Sequence, residues 1–239
     1  TTIEKITFEG GASDSEGFFH FETSHGLGRG YVRISDGLCE TLFTQLDNLK
    51  EKTTHPDGSL NPFVLIVGGG QGGLALGAQL ADLGVNYLIV DKHPRVGDQW
   101  RSRYDSLVLH DPVWYDHLPF KPFPSDWPTF TPKDQMADWL ESYAHDLNIN
   151  IWTNSKLTSA KYIGSEGKWA VTIENDSKVV KLEPTHLVMA LGLSGFPKIP
   201  TFKGKDIFKG PQHHSSAFKL QEEYSGLNVA IVGANNSAN

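Results

Sequence analysis

One cysteine, Cys39, stands among 239 residues. A lone thiol closes no intramolecular disulfide, and without nearby Cys or His partners it builds neither a zinc knuckle nor a redox pair, so an intracellular, cytoplasmic chain is expected. Long hydrophobic runs are missing too. The apolar stretch Phe63 to Val67 falls far short of the ~20 residues that span a bilayer, and no charged-then-apolar signal opens the chain. Positive charge is in deficit: 21 Lys and Arg against 28 Asp and Glu leave a net −7, which argues against non-specific nucleic-acid binding. What remains, 38% apolar and 11% aromatic residues, is enough to bury a core and excludes wholesale disorder. The length suits one large domain, or one domain and a piece of another. Because the chain starts at Thr1 rather than Met and stops at Asn239 inside a strand-to-helix turn, it reads as a fragment of a longer protein.

Composition changes along the chain. Residues 1–49 are aromatic and β-prone, with partial alternation in Phe18 to Thr23 and in Tyr31 to Ile34. The glycines of Gly26-Leu27-Gly28-Arg29-Gly30 separate these runs, which predicts antiparallel strands joined by turns. Residues 50–61 are a polar linker. Then Phe63 to Val67 reads as a strand buried on both faces, Gly73 to Leu83 as a helix closed by Gly84 at C′, and Tyr87 to Val90 as a second strand. That is a βαβ unit with a right-handed crossover. A helix is predicted over Lys133 to Leu147, strands over Trp169 to Ile173 and Leu187 to Ala190, and a further strand over Asn228 to Val232 that repeats the logic of the first. Two dinucleotide units follow, residues 62–205 and a shortened one over 206–239.

The turn Gly68-Gly69-Gly70-Gln71-Gly72-Gly73 satisfies G-x-G-x-x-G between strand and helix. Gly68 permits the tight turn, Gly70 lets the backbone approach a pyrophosphate, and Gly73 lets helix and strand pack closely. The helix start adds unpaired N–H groups and partial positive charge. Asp91, closing the second strand, is placed to accept hydrogen bonds from ribose hydroxyls and repels the extra phosphate of NADP, so the first site suits FAD or NAD. A glycine turn that binds nothing, with Asp91 a solvated strand end, is the bland alternative.

The residues after Asp91 separate the two cofactors. Gly97-Asp98-Gln99-Trp100-Arg101, Tyr104-Asp105-Ser106-Leu107 and Leu109-His110-Asp111-Pro112 resemble segments of the flavin-containing monooxygenases. Phe208, Gly210, His214, Phe218 and Lys219 fit that family's F-x-G-x-x-x-H-x-x-x-F/Y-K pattern, and Leu118-Pro119-Phe120 with Trp127-Pro128-Thr129-Phe130 is similar to its branch with the plant indole-pyruvate monooxygenases (YUCCA-like). Ala190-Leu191-Gly192 resembles the family's A-T-G linker with Leu for Thr, and Gly233-Ala234-Asn235-Asn236-Ser237-Ala238 its NADPH turn with Asn235 at the second glycine. The Cβ of Asn235 crowds a pyrophosphate there.

The resemblance covers residues 62–239 and implies a Rossmann-like α/β, two-dinucleotide-binding-domain flavoprotein, cut short, that uses FAD and NADPH. It implies insertion of one oxygen atom from O2 into a small organic substrate through a flavin C4a-(hydro)peroxide. Cofactor contacts are implied for Gly68, Gly70, Gln71, Gly72, Gly73, Asp91, Lys92, Gly97, Gln99, Trp100, Arg101, His110, Leu157, Gly233, Asn236 and Ser237, with Trp100 stacked on the flavin and Arg101 at phosphate or ribose. Core packing is the alternative for Trp100, loop packing for His110. His213 and His214, with no Asp, Glu or Cys at ligand spacing, read as linker residues rather than metal ligands. Phe218-Lys219 favours N- or S-oxidation or YUCCA-like decarboxylation over Baeyer–Villiger chemistry; a non-catalytic dinucleotide sensor is the other alternative. Residues 1–49 are similar to the tail of an NTF2-like α+β domain. The 239 residues alone are expected to bind FAD weakly and not to turn over.

Overall fold

In the computed structural model, residues 3–9, 15–24, 26–49, 61–193 and 197–234 are described. The chain divides into two units, residues 1–54 and 55–239, and each is taken by itself.

The first unit is an antiparallel meander of β1 (Ile3–Phe8), β2 (Glu16–Thr23), β3 (Gly26–Ser35) and β4 (Leu38–Leu49), in that spatial order. Its glycines do not make the turn that their clustering predicts. They lie inside β3, opposite phenylalanines: a Cβ on Gly28 would stand 2.4 Å from the Phe21 ring, and one on Gly30 2.4 Å from the Phe19 ring. A missing side chain on one strand thus seats an aromatic ring from the next. The β3–β4 reversal is made instead by Asp36 and Gly37, both at positive φ (51° and 75°), the backbone that a two-residue hairpin demands. Among the described residues this unit holds strands only, the β portion of the α+β expectation.

In the second unit, β5 (Val64–Val67), α1 (Gln71–Asp82) and β6 (Tyr87–Val90) form the expected βαβ unit. All eight strand residues are buried, which is why neither strand alternates in polarity. Helix α1 ends where Gly84 takes φ 69°. The Gly84 N–H donates to Ala81 O (3.0 Å) and the Val85 N–H to Leu80 O (2.9 Å), closing the last turn in the two-bond pattern typical of a left-handed C′ glycine. The parallel sheet gains β7 (Ile151–Trp152) beside β6 and β11 (His186–Met189) beside β5, giving the order β11-β5-β6-β7.

The faces of this sheet are covered differently. Ile66 and Ile89 point toward α1 and toward α3 (Lys133–Asp146), joining Leu74, Ala78, Met136, Trp139, Leu140 and Tyr143. Leu65, Val67, Leu88 and Val90 point the other way, onto Val171, Ile173 and Leu182 of an antiparallel sheet ordered β10 (Lys178–Leu182), β9 (Lys168–Asn175), β8 (Ser155–Ile163). Ile66 and Ile89 are wholly buried; burying each contributes roughly 1.5–3 kcal/mol. A single turn, α2 (Asp98–Arg101), lies on α3.

Residues 197–234 hold only two short 3-10 turns, Ser215–Ala217 and Gln221–Tyr224. The strand expected over Asn228 to Val232 is not formed: Val229, Ile231 and Val232 are exposed, the last at 76%. A parallel strand needs a neighbour to take its N–H and C=O groups, and among the described residues none pairs with this one. No helix of the described residues is long and apolar enough to cross a membrane.

Candidate dinucleotide site at the first glycine turn

Two glycines of the turn are demanded by the chain itself. Gly68 sits at φ 112°, and a Cβ there would be 2.3 Å from Ala190 O at the end of β11. A Cβ on Gly73 would be 1.9 Å from Gly68 O, so the close approach that Gly73 permits is between helix and turn. The other two are not. Gly72 has nothing within 4 Å of its Cβ direction, and Gly70 only the amide nitrogen of Gln99, at 3.5 Å. Glycines that the protein's own atoms leave uncrowded mark a surface kept clear for something else. Gly70 caps α1, and the first turn of the helix itself carries no acidic side chain to occupy its N–H groups.

Gln99 supplies a test of fit. Its Nε2 is closed to solvent and has no hydrogen-bond partner among the described residues. A buried, unpaired donor costs ~1–3 kcal/mol. Its place beside Gly70 means that a turn of this amide toward an acceptor over the open glycines would relieve the cost, and a phosphate, an acceptor only, suits it. The residues present therefore fit a diphosphate.

Asp91 does more than wait for a ribose. Its Oδ2 accepts from the Gly69 N–H (2.6 Å), while Oδ1 accepts from the His93 N–H (2.8 Å) and lies 2.7 Å from His93 Nδ1. Its side chain is 12% exposed. A carboxylate offers about four lone-pair sites, so three are taken and one is left for a hydroxyl. Asp91 thus staples the turn to the end of β6, a role that also explains the middle glycine, Gly69: its N–H must reach the carboxylate, and a Cβ there would stand 2.7 Å from Ile151 Cδ1. Neither Gly69 nor His93 was singled out from the sequence; the run of three glycines was the available signal. Lys92 lines a neighbouring cleft of about 480 Å³ with Asn154, Lys156, Glu174 and Asp176. Leu157 pairs with Ile173 across β8 and β9 and packs, half-buried, into the second core.

Gly97, at φ 90°, brings α2 against α3, where a Cβ would meet Ala137 O at 2.4 Å. Trp100 packs on the helical core and its Nε1–H donates to Gln71 Oε1 (3.1 Å). Arg101, expected at phosphate or ribose, is committed elsewhere. Its guanidinium donates to Val96 O (2.9 Å), Asp98 Oδ1 (3.0 Å), Asp138 Oδ1 (2.7 Å) and Glu141 Oε2 (2.6 Å), fastening α2 to α3. Burial pushes the Asp98 carboxyl up, but Arg101 and Arg95 beside it outweigh this and hold it below its ordinary value. Lys133, also missed in the sequence, is buried nearby and donates to Asp134 Oδ1 (2.7 Å) and Arg101 O (3.4 Å).

His110 is exposed in a loop held by Leu109 N–H to Thr131 O (2.8 Å) and Val113 N–H to Thr129 O (2.7 Å). In the same loop burial, and then Asp111, push the Asp116 carboxyl up. The later motif folds onto the segment after α2. Lys219 donates to Ser102 O, Lys219 O accepts from the Asp105 N–H (3.1 Å), and the Phe218 ring lies 5.8 Å from that of Tyr104. His213 Nε2 meets Tyr224 Oη at 2.5 Å, and His214 Nδ1 accepts from the Ser216 N–H (3.1 Å). Gly233 is exposed at φ 135°, 165 residues from Gly68 and not brought to it by any strand pairing among the described residues; Asn235, Asn236 and Ser237 lie outside the described residues.

Residues 65–239 match the family model described as pyridine nucleotide-disulphide oxidoreductase. The chain is 33% identical over 177 residues to indole-3-pyruvate monooxygenase YUCCA1 of Oryza sativa subsp. japonica, covering 74% of this chain and 43% of that protein. It is 36% identical over 177 residues to an uncharacterized oxidoreductase CzcO-like of Geobacillus kaustophilus, covering 73% and 48%. Among solved structures it matches a mutant flavin monooxygenase from Stenotrophomonas maltophilia, with TM-score 0.68, 25% identity, and 74% of this chain against 52% of that one. The chain spans less than half the length of the curated relatives named here. With its glycine turn, its Asp91 staple and these relatives, the chain belongs to the pyridine nucleotide-disulphide oxidoreductase family, among the flavin-containing monooxygenases.

Proposed function

We propose that residues 62–205 hold FAD in an FAD- and NADPH-dependent monooxygenase acting on a small organic substrate. The carrying observation is the cleared surface over Gly70 and Gly72, with the orphaned Gln99 amide beside it at a helix start whose first turn carries no acidic side chain. Bound there, FAD would supply the redox chemistry, with two electrons from NADPH, one oxygen atom of O2 passing to the substrate and the other leaving as water. The chain's own residues bind and orient. The N–H groups opening α1 receive the diphosphate, with the Gln71 and Gln99 side chains beside them. The last lone pair of Asp91 receives a ribose hydroxyl, and Arg101 keeps α2 rigid against α3 so that Gln99 stays in register. His110, exposed in its loop, is the group we place as hydrogen-bond donor toward the reacting oxygen.

For the substrate we favour heteroatom oxidation or oxidative decarboxylation of a 2-oxo acid, following the indole-3-pyruvate relatives. Full-length protein reconstituted with FAD is expected to show a bound-flavin spectrum and NADPH-dependent oxygen consumption. Failure to take up FAD refutes the cofactor assignment; uptake without NADPH-dependent oxygen consumption refutes the oxygenase. Since the chain spans less than half of its relatives, residues 1–239 alone are expected not to turn over, and steady NADPH oxidation by them counts against this.

A further inference from the structure

We propose that Trp100 is a positioning residue for the diphosphate rather than a stacking surface for the flavin ring: its indole N–H holds the Gln71 carboxamide by the oxygen and so presents the NH2 group of Gln71 to the phosphate. The inference rests on the dinucleotide reading of the site. A carboxamide has an accepting end and a donating end, and the two are interchanged by a half-turn of its last torsion. At a phosphate the two orientations have opposite consequences: the NH2 group donates to the anion, while the oxygen repels it. Gln71 is the first residue of α1, directly between the open positions Gly70 and Gly72. Left to itself it would sample both orientations. The Trp100 Nε1–H, 3.1 Å from Gln71 Oε1, removes that freedom, because an indole can only donate and therefore accepts no partner but the oxygen.

Trp100 is itself held. It is half-buried against the helical core. Its neighbour Arg101 fastens the same turn to α3 through Asp138 and Glu141, at 2.7 and 2.6 Å. The latch therefore runs from α3 through α2 to the first residue of α1, its last link, from Trp100 to Gln71, crossing 29 positions of sequence, and it needs no ligand to be set.

The experiment uses the full-length apoprotein and two probes, FAD and ADP. ADP carries the diphosphate without the isoalloxazine ring. Trp100→Phe keeps an aromatic ring but loses the N–H together with the pyrrole part of the indole, a loss of packing that bears on FAD and ADP alike. Gln71→Met keeps the length and loses the amide. Trp100→Phe is expected to weaken FAD and ADP alike, about 3- to 10-fold, as for the partial loss of one charge-assisted hydrogen bond. Gln71→Met should weaken both at least as much, and adding Trp100→Phe to it should cost nothing further, because the two residues act as one unit. Unfolding of the apoprotein reports that each variant is folded. A Trp100→Phe effect on FAD that spares ADP means ring stacking and overturns the proposal, as do effects that multiply in the double variant, or no effect at all. Unsubstituted protein that binds ADP but not FAD refutes the flavin assignment alone, and the latch is then read on ADP; binding neither refutes both.

Discussion

Replacing Gln99 by Met should move folding stability and cofactor affinity in opposite directions. The amide nitrogen of Gln99 is closed to solvent and unpaired, so the apoprotein bears a desolvated donor that the unfolded chain, in water, does not. Such a group costs ~1–3 kcal/mol. Methionine has nearly the same length, an unbranched stem and no polar hydrogen, so it fills the half-buried site with little strain. Allowing for imperfect repacking, Gln99→Met is expected to stabilise the apoprotein by about 1 kcal/mol, or roughly 2–4 °C in Tm for a domain of this size. The bound state loses a donor to an anion, for which ~1.5–3 kcal/mol is typical, so FAD affinity should fall on the order of tenfold or more. Urea unfolding of the apoprotein, read as a change in midpoint at constant slope, gives the first quantity. Titration of the apoprotein with FAD gives the second. A variant less stable than the parent, with unchanged affinity, would show that Gln99 serves the fold and not the ligand.

The glycines of the turn should separate cleanly. Gly73→Ala places a Cβ 1.9 Å from Gly68 O, a backbone atom that cannot step aside, and should cost about 3 kcal/mol or more. Gly72→Ala, with open space around it inside a helix, should leave stability unchanged or raise it by up to ~1 kcal/mol; equal effects of the two in denaturant unfolding would refute the steric assignment. The acid side of the stability profile should carry the Lys121–Asp146 pair. Lys121, then His145 and Ser142, hold the Asp146 carboxyl down from 3.8 to about 2. Because the folded value is the lower one, the contribution is present above about pH 4 and is lost as pH falls through about 2. Lys121→Met should flatten that segment of the profile, and a profile unaltered by the substitution would remove the pair from the account.

What was legible in the sequence is mostly what acts over short range. β5, α1, Gly84 and β6 follow one another within 27 positions, and local pattern specifies each of them. The span of α3 was equally plain, from the spacing of Met136, Trp139, Leu140 and Tyr143. Long-range reasons were not legible. Gly28 and Gly30 looked like a turn because nothing local says that a phenylalanine from another strand needs their space. Arg101 looked like a phosphate ligand because Asp138 and Glu141, its partners, are 37 and 40 positions away. Val229 to Val232 has strand composition, yet pairing is a property of two segments, and composition describes one. The Asp36-Gly37 reversal is a different kind of miss: its signal is local and was present.

The position of β11 has a consequence for the nascent chain. It is the strand that lies beside β5, yet about 120 residues are synthesised between them, which at ~5–20 residues per second takes on the order of ten seconds. Throughout that interval β5 presents an unsatisfied edge to the ribosome exit and its attendant chaperones, a template for wrong partners. The glycine turn is unfinished for the same time, because Gly68 is packed from behind by the carbonyl of Ala190, the residue that follows β11. On the cofactor reading proposed above, the turn reaches its finished form for a nucleotide only after translation has passed residue 190.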